Sequence, residues 1–169
     1  MAEELASRWD LARAKDRFRG RIRQGRAGGP TPEGGRPPSV AVLCPQTYMN
    51  DAGRSVGPAR GSFKLPLERV LVVHDEIDLP FGALQLRMGG GLAGHNGLKS
   101  IKQALGSADF MRLRVGVGRR DSSDPDVVSG YVLGRFAESE QEVRELVLAA
   151  ADEAERAVLG GAATAEVAS

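Results

Sequence analysis

The chain has 169 residues, 41% hydrophobic and 27% charged, the composition of one soluble globular domain large enough to bury a continuous core. No apolar run approaches the roughly 18–20 residues of a membrane helix. The Arg-rich start lacks the apolar stretch of a secretory signal, and the single cysteine, Cys44, excludes an internal disulfide framework and leaves a zinc site without thiolate partners, so the reading is a cytoplasmic protein.

The net charge of +1 is unevenly spread: Arg8 to Arg26 carries eight basic residues against two acidic ones, and Ala137 to Ser169 carries eight acidic residues against two basic ones. A basic block is a plausible contact for a polyanion, though charge alone favours a solvated helix or loop. Ala2 to Trp9 is predicted as a short helix. Residues 25–38 are dense in Gly and Pro and are predicted as a loop. Ser39–Cys44 and Arg69–His74 are apolar runs predicted as buried strands. Ala83–Met88 and Arg112–Val117 alternate apolar and polar residues, as half-exposed strands do, and Gly97–Leu105 places Leu98, Ile101 and Leu105 on one helical face. The last helix is announced by Ser139 and Glu142, spaced as a capping box, followed by Val143, Leu146, Val147, Ala150, Ala154 and Val158 at helical intervals. These elements predict one α/β domain over residues 1–160 with a central sheet, and a flexible tail over 161–169.

Three polar clusters follow strands, where α/β sheets place their sites. Cys44-Pro-Gln-Thr-Tyr-Met-Asn50 offers amides and an aromatic ring to a polar ligand, or simply makes a turn. His74-Asp75-Glu76-Ile77-Asp78 holds three carboxylates and a histidine. Asp75 suits the orientation of an imidazole; His74, Asp75 and Asp78 are a competing metal-ligand set without a second cluster to support it; and one or two of the acids have the ordinary alternative of a cap or a surface arginine. Gly89-Gly-Gly-Leu-Ala-Gly-His-Asn-Gly97 leads into a helix N-terminus that attracts anions, but it fits neither the dinucleotide nor the P-loop spacing. Within it Asn96 is placed to donate its amide to a substrate carbonyl or phosphate.

Taken in order, P-Q-T-Y-M-N, V-V-H-D-E-I-D-L-P-F-G, G-G-G-L-A-G-H-N-G-L-K-S-I, F-M-R-L-R-V-G-V-G-R and G-Y-V-L-G-R-F resemble the bacterial peptidyl-tRNA hydrolase family, collinearly from about Val40 to Leu159. The resemblance implies an α/β globule with a twisted mixed β-sheet flanked by helices, and a monomer. It implies hydrolysis of the ester between a peptide, or an N-blocked amino acid, and the 3′ end of tRNA, without metal or organic cofactor. By position, Asp75 matches the aspartate that orients the catalytic histidine, and Asn50 an asparagine at the catalytic centre near the scissile ester. Asn96 matches the asparagine that binds the tRNA end or the peptide carbonyl; Tyr48 lines the substrate groove, with Met49 beside it. Leu92 stands where the family usually has histidine, which implies a local change in loop polarity.

Nothing in the chain matches the strand, the G-L-G-N-P-G segment and the T-R-H-N-x-G block with which family members open. The resemblance therefore implies that the first strand and the general-base histidine are missing, leaving unpaired sheet edges and an incomplete core. The expectation is a chain whose natural start lies upstream of Met1. The alternatives are an acceptor-end binding protein that does not hydrolyse, or an enzyme with His95 as substitute base, His74 being expected to point inward. Arg13 to Arg26 and the group Arg112, Arg114, Arg119 and Arg120 are candidate phosphate contacts.

Overall fold

Parallel strand pairing needs a crossover long enough to return the chain to the same edge, and the segment between Leu71–Glu76 and Met111–Gly116 supplies one. The computed structural model describes residues 1–28, 36–118 and 136–160. In chain order it contains α1 (Ala2–Arg8), β1 (Lys15–Arg17), β2 (Gly20–Arg26), β3 (Ser39–Pro45), α2 (Gly53–Phe63), β4 (Leu71–Glu76), β5 (Leu84–Met88), α3 (Asn96–Leu105), β6 (Met111–Gly116) and α4 (Glu140–Leu159). Short 3-10 turns at Met49–Asp51 and Leu67–Arg69 flank α2.

The strands form two three-stranded sheets. One is antiparallel, ordered β1-β2-β3; the other is mixed, ordered β4-β6-β5, with β4 parallel and β5 antiparallel to β6. Both sheets share the same helical cover. On one side α1 and α4 close a core of Leu5, Trp9, Leu113 and Ala151, onto which Val40 and Val42 of β3 and Leu71 and Val73 of β4 all pack. On the other, α2 and α3 meet over Ala52, Leu98, Ile101 and Phe110, with Val70 and Val72 beneath. The layer is thus interrupted between β3 and β4, as the resemblance implied.

That interruption corrects one expectation. Ser39–Cys44 and Arg69–His74 were expected to form buried strands, but β3 buries no residue and β4 only His74 and Glu76. Apolar composition makes a strand buried only if a neighbour covers each edge. The loop expected over 25–38 begins two residues later, because Gly25 and Arg26 continue β2 opposite Val40 and Ser39; residues 29–35 of it, like the tail over 161–169, Arg119, Arg120 and most of G-Y-V-L-G-R-F, lie outside the described residues. From Lys15 to Arg26 the basic block is neither helix nor loop. It is a hairpin turning at Phe18 and Arg19, both at positive φ.

α4 starts where its sequence says. Ser139 Oγ accepts from the Glu142 amide at 3.3 Å and the Glu142 carboxylate accepts from the Ser139 amide at 2.8 Å, reciprocally satisfying two orphan N–H groups. Its acidic face meets the start of the chain: Arg8 pairs with Asp152 at 2.5 Å and the Trp9 indole donates to Glu155 at 2.5 Å.

Candidate functional site

The C-terminal ends of β3 and β4 converge on the N-terminus of α3. From β3 the chain runs through Pro45 to Tyr48 and Met49, whose sulfur lies so close to Gly97 that a Cβ there would sit 2.6 Å from it. From β4 come His74 and Asp75, facing His95 at the start of α3. These residues line a cavity of about 460 Å³ that continues between β3 and β4 past Leu43, Val73 and Leu98.

His95 is held by both ring nitrogens. Nδ1 accepts from the Gly97 amide at 3.1 Å and from the Leu98 amide at 3.3 Å, making the ring the N-cap of α3. An accepting Nδ1 in a neutral imidazole places the proton on Nε2, which donates to Asp75 Oδ1 at 3.4 Å. That contact holds the Asp75 carboxyl below its ordinary pKa against the opposing effect of burial. His74 is the inverse case. Its ring lies edge-on to His95 at 5.0 Å, its Nδ1 donates to the Asp75 carbonyl at 2.7 Å, and its Nε2 is buried without a partner. Burial, with the neighbouring His95, pushes the His74 pKa down, so the ring stays neutral with a bare Nε2 lone pair.

The loop before His95 owes its shape to a residue that sequence reasoning assigned elsewhere. Arg112, buried in β6, donates to the Gly91 carbonyl at 2.8 Å and to the Gly89 carbonyl. Gly89, Gly90 and Gly94 there adopt positive φ, and a Cβ at Gly90 would stand 2.8 Å from the Arg112 guanidinium. Arg112 is thus no phosphate contact. Nor is Arg114, which pairs with Glu76 at 2.8 Å and donates to Gln85. Charge alone could not separate these from exposed arginines; their alternation with Met111, Leu113 and Val115 on a strand was the available signal. Glu76 also accepts from the Asp78 amide at 3.2 Å, so this member of the acidic cluster is structural. Among the described residues no group of three His, Cys, Asp or Glu side chains is placed to hold a metal ion. Leu92, expected to alter loop polarity, packs against the α2–α3 core.

Of the residues singled out, Asp75 and His95 are brought together, and Tyr48 (85% exposed) and Met49 (57% exposed) stand at the cavity rim. Asn50 and Asn96 are exposed, on the 3-10 turn and at the first position of α3, and neither lines the cavity. Thr47, whose buried hydroxyl has no partner, lines it instead.

The peptidyl-tRNA hydrolase family profile matches residues 1–168, reaching beyond the stretch from Val40 to Leu159. Peptidyl-tRNA hydrolase of Gloeobacter violaceus is 44% identical over 158 residues, covering 93% of this chain and 75% of the relative. That of Geobacillus thermodenitrificans is 40% identical, covering 92% and 79%. Among solved structures, peptidyl-tRNA hydrolase in complex with N-propanol is similar with a TM-score of 0.78 and 32% identity, covering 94% of this chain and 76% of that one. The Acinetobacter baumannii enzyme is similar with a TM-score of 0.76 and 33% identity. No described helix is long and apolar enough to cross a membrane.

Proposed function

The chain belongs to the peptidyl-tRNA hydrolase family, and from that premise we propose that the mouth of its cavity receives the 3′ acceptor end of peptidyl-tRNA. The bond acted on is the ester between peptide and tRNA, whose hydrolysis frees both and recycles tRNA lost from ribosomes in the cytoplasm. The observation that carries this reading is the Asp75–His95 pair at the cavity mouth, framed by exposed Tyr48 and Met49 and by the N-terminus of α3. A rigid aromatic suits stacking on an unpaired terminal base, with the flexible Met49 thioether beside it. Asn96 and Asn50 keep their amides exposed for the tRNA end or peptide carbonyl and for the region of the ester. The exposed Arg13, just before β1, and Lys15, Arg19 and Arg21 of the β1–β2 hairpin contact phosphates. The reading needs no metal or organic cofactor and takes the chain as a monomer.

His95 is a positioning residue in this reading. Its Nδ1 lone pair is committed to α3 and its Nε2 proton to Asp75, so it has no open nitrogen to draw a proton from water. The 169-residue chain therefore binds the acceptor end and hydrolyses slowly. Single-turnover hydrolysis of N-blocked aminoacyl-tRNA should run about 10²–10⁴-fold below the Geobacillus relative, the range a general base supplies. Comparable rates would overturn this. Asn96→Ala should weaken tRNA binding; unchanged binding would return Asn96 to a turn residue.

A further inference from the structure

The tip of the β1–β2 hairpin has the geometry of an Asn-Gly turn and the sequence Phe-Arg. Phe18 and Arg19 alone link β1 to β2, both at positive φ (57° and 52°), the pattern of a type I′ turn, which favours Asn and Gly. A bulky residue in that region is an outlier that persists only where its surroundings hold it. Here they do. The half-buried Phe18 ring lies 4.3 Å from the Arg17 guanidinium and meets the Phe63 ring of α2 at 5.8 Å in a T-shaped arrangement. Arg17 itself donates to Ser62 Oγ at 3.2 Å. The strained turn is thus docked on the last residues of α2.

What the docked turn presents is the Arg19 carbonyl, which accepts from the Gln46 amide at 2.9 Å. Gln46 stands where β3 gives way to the segment carrying Tyr48 and Met49. Both of those side chains are exposed, so packing does not fix them and their direction follows from the backbone that carries them. Downstream, that backbone is tied to α3: the Gly53 amide donates to Ser100 Oγ at 2.9 Å, and Met49 lies against Gly97. Upstream, among the described residues, the bond from Gln46 to Arg19 is the last backbone tie before the 3-10 turn. The aim of Tyr48 therefore depends on where the hairpin tip is held.

We propose that Phe18 is a positioning residue for the tRNA acceptor end: gripped by Arg17 and Phe63, it keeps the turn in its strained form and, through the Arg19 carbonyl, sets Gln46 and the aim of Tyr48. This rests on the reading that Tyr48 and Met49 receive that end. An ideal turn residue at position 18 would relieve the strain and lose the grip, in keeping with the gathering of backbone outliers at ligand clamps. If Phe18 only packed the hairpin, affinity would follow stability. If it positions Tyr48, the two separate.

The test uses the full 169-residue chain and two fluorescein-labelled RNA minihelices, one ending in single-stranded ACCA and one blunt. Phe18→Asn suits the positive φ and keeps the Arg19 charge but removes the ring. Its thermal midpoint should stay close to the parent's, since relief of strain offsets the lost contacts. Amide exchange at Gln46 should be faster by about two- to tenfold, the range of an aromatic pair. Affinity for the tailed minihelix should fall by a similar factor, with blunt binding unchanged, and Phe18→Tyr should restore both exchange and affinity. Phe63→Leu, which removes the ring partner on α2, should repeat the loss and decides the matter if Phe18→Asn fails to fold. Unchanged exchange at Gln46, faster exchange with tailed affinity retained, or an equal loss for both minihelices would each overturn the proposal. A parent chain that binds the two minihelices alike would instead sink the acceptor-end reading, and the effect on substrate with it, while exchange at Gln46 still decides whether Phe18 holds the segment.

Discussion

His95 closes α3 with one ring nitrogen and holds Asp75 with the other, and two substitutions separate these roles. His95→Ala removes both; His95→Asn keeps a side-chain acceptor of a type strongly preferred at helix N-caps but cannot reach Asp75. Loss of a cap costs about 1 kcal/mol, and the 3.1 and 3.3 Å contacts, long for N–H bonds, give no reason to exceed it. A charge-assisted hydrogen bond contributes about 1.5–3 kcal/mol when well formed. At 3.4 Å, between side chains 17% and 31% exposed, the Asp75 contact is reduced by solvent to about 0.5–1 kcal/mol. Urea denaturation at pH 7.5 should therefore show His95→Ala destabilised by about 1.5–2 kcal/mol and His95→Asn by about 0.5–1 kcal/mol. Equal losses would refute the capping role. Ring ¹⁵N shifts provide a second check: the Nε2-protonated form is expected, and the opposite tautomer would undo the argument that His95 has no free base nitrogen.

Burial lowers the His74 pKa below its ordinary 6.5, so on acidification the unfolded chain takes up this proton first. Stability should fall as pH drops below about 6.5, and His74→Phe should flatten that part of a urea-midpoint profile between pH 7.5 and 5.5; an unchanged profile would contradict it. In α2, two glycines should respond with opposite signs in thermal melts. A Cβ at Gly53 would lie 2.2 Å from the Ser100 carbonyl oxygen, so Gly53→Ala should destabilise by about 1–3 kcal/mol. Gly61, which has nothing within 4 Å, should gain about 0.5–1 kcal/mol as alanine. Arg112→Met leaves the Gly89 and Gly91 carbonyls without their donor and should destabilise by about 2–4 kcal/mol, with faster amide exchange across 89–95. Exchange equal to that of the parent would show that Arg112 does not pin the loop.

Local features were legible because their causes are local. The capping box at Ser139 and Glu142, the apolar face of α3 and the strand runs are each decided within a few residues, and they appear in the structure within one or two positions of where periodicity put them. The five collinear motifs likewise pointed to the family before any coordinate. Hidden from sequence were relations between distant segments. Asp75 and His95, 20 positions apart, meet because Arg112 pins the glycine loop between them, and nothing in a list of charges separates that arginine from one facing solvent. The same holds for β3 and β4: their residues specify extended, apolar strands, while their rank as edges facing a cavity follows only from which neighbours the tertiary structure provides. Composition and periodicity determine what each segment forms, since those energies are short-ranged. Burial, tautomer and pairing depend on what stands opposite, and only the folded chain decides that.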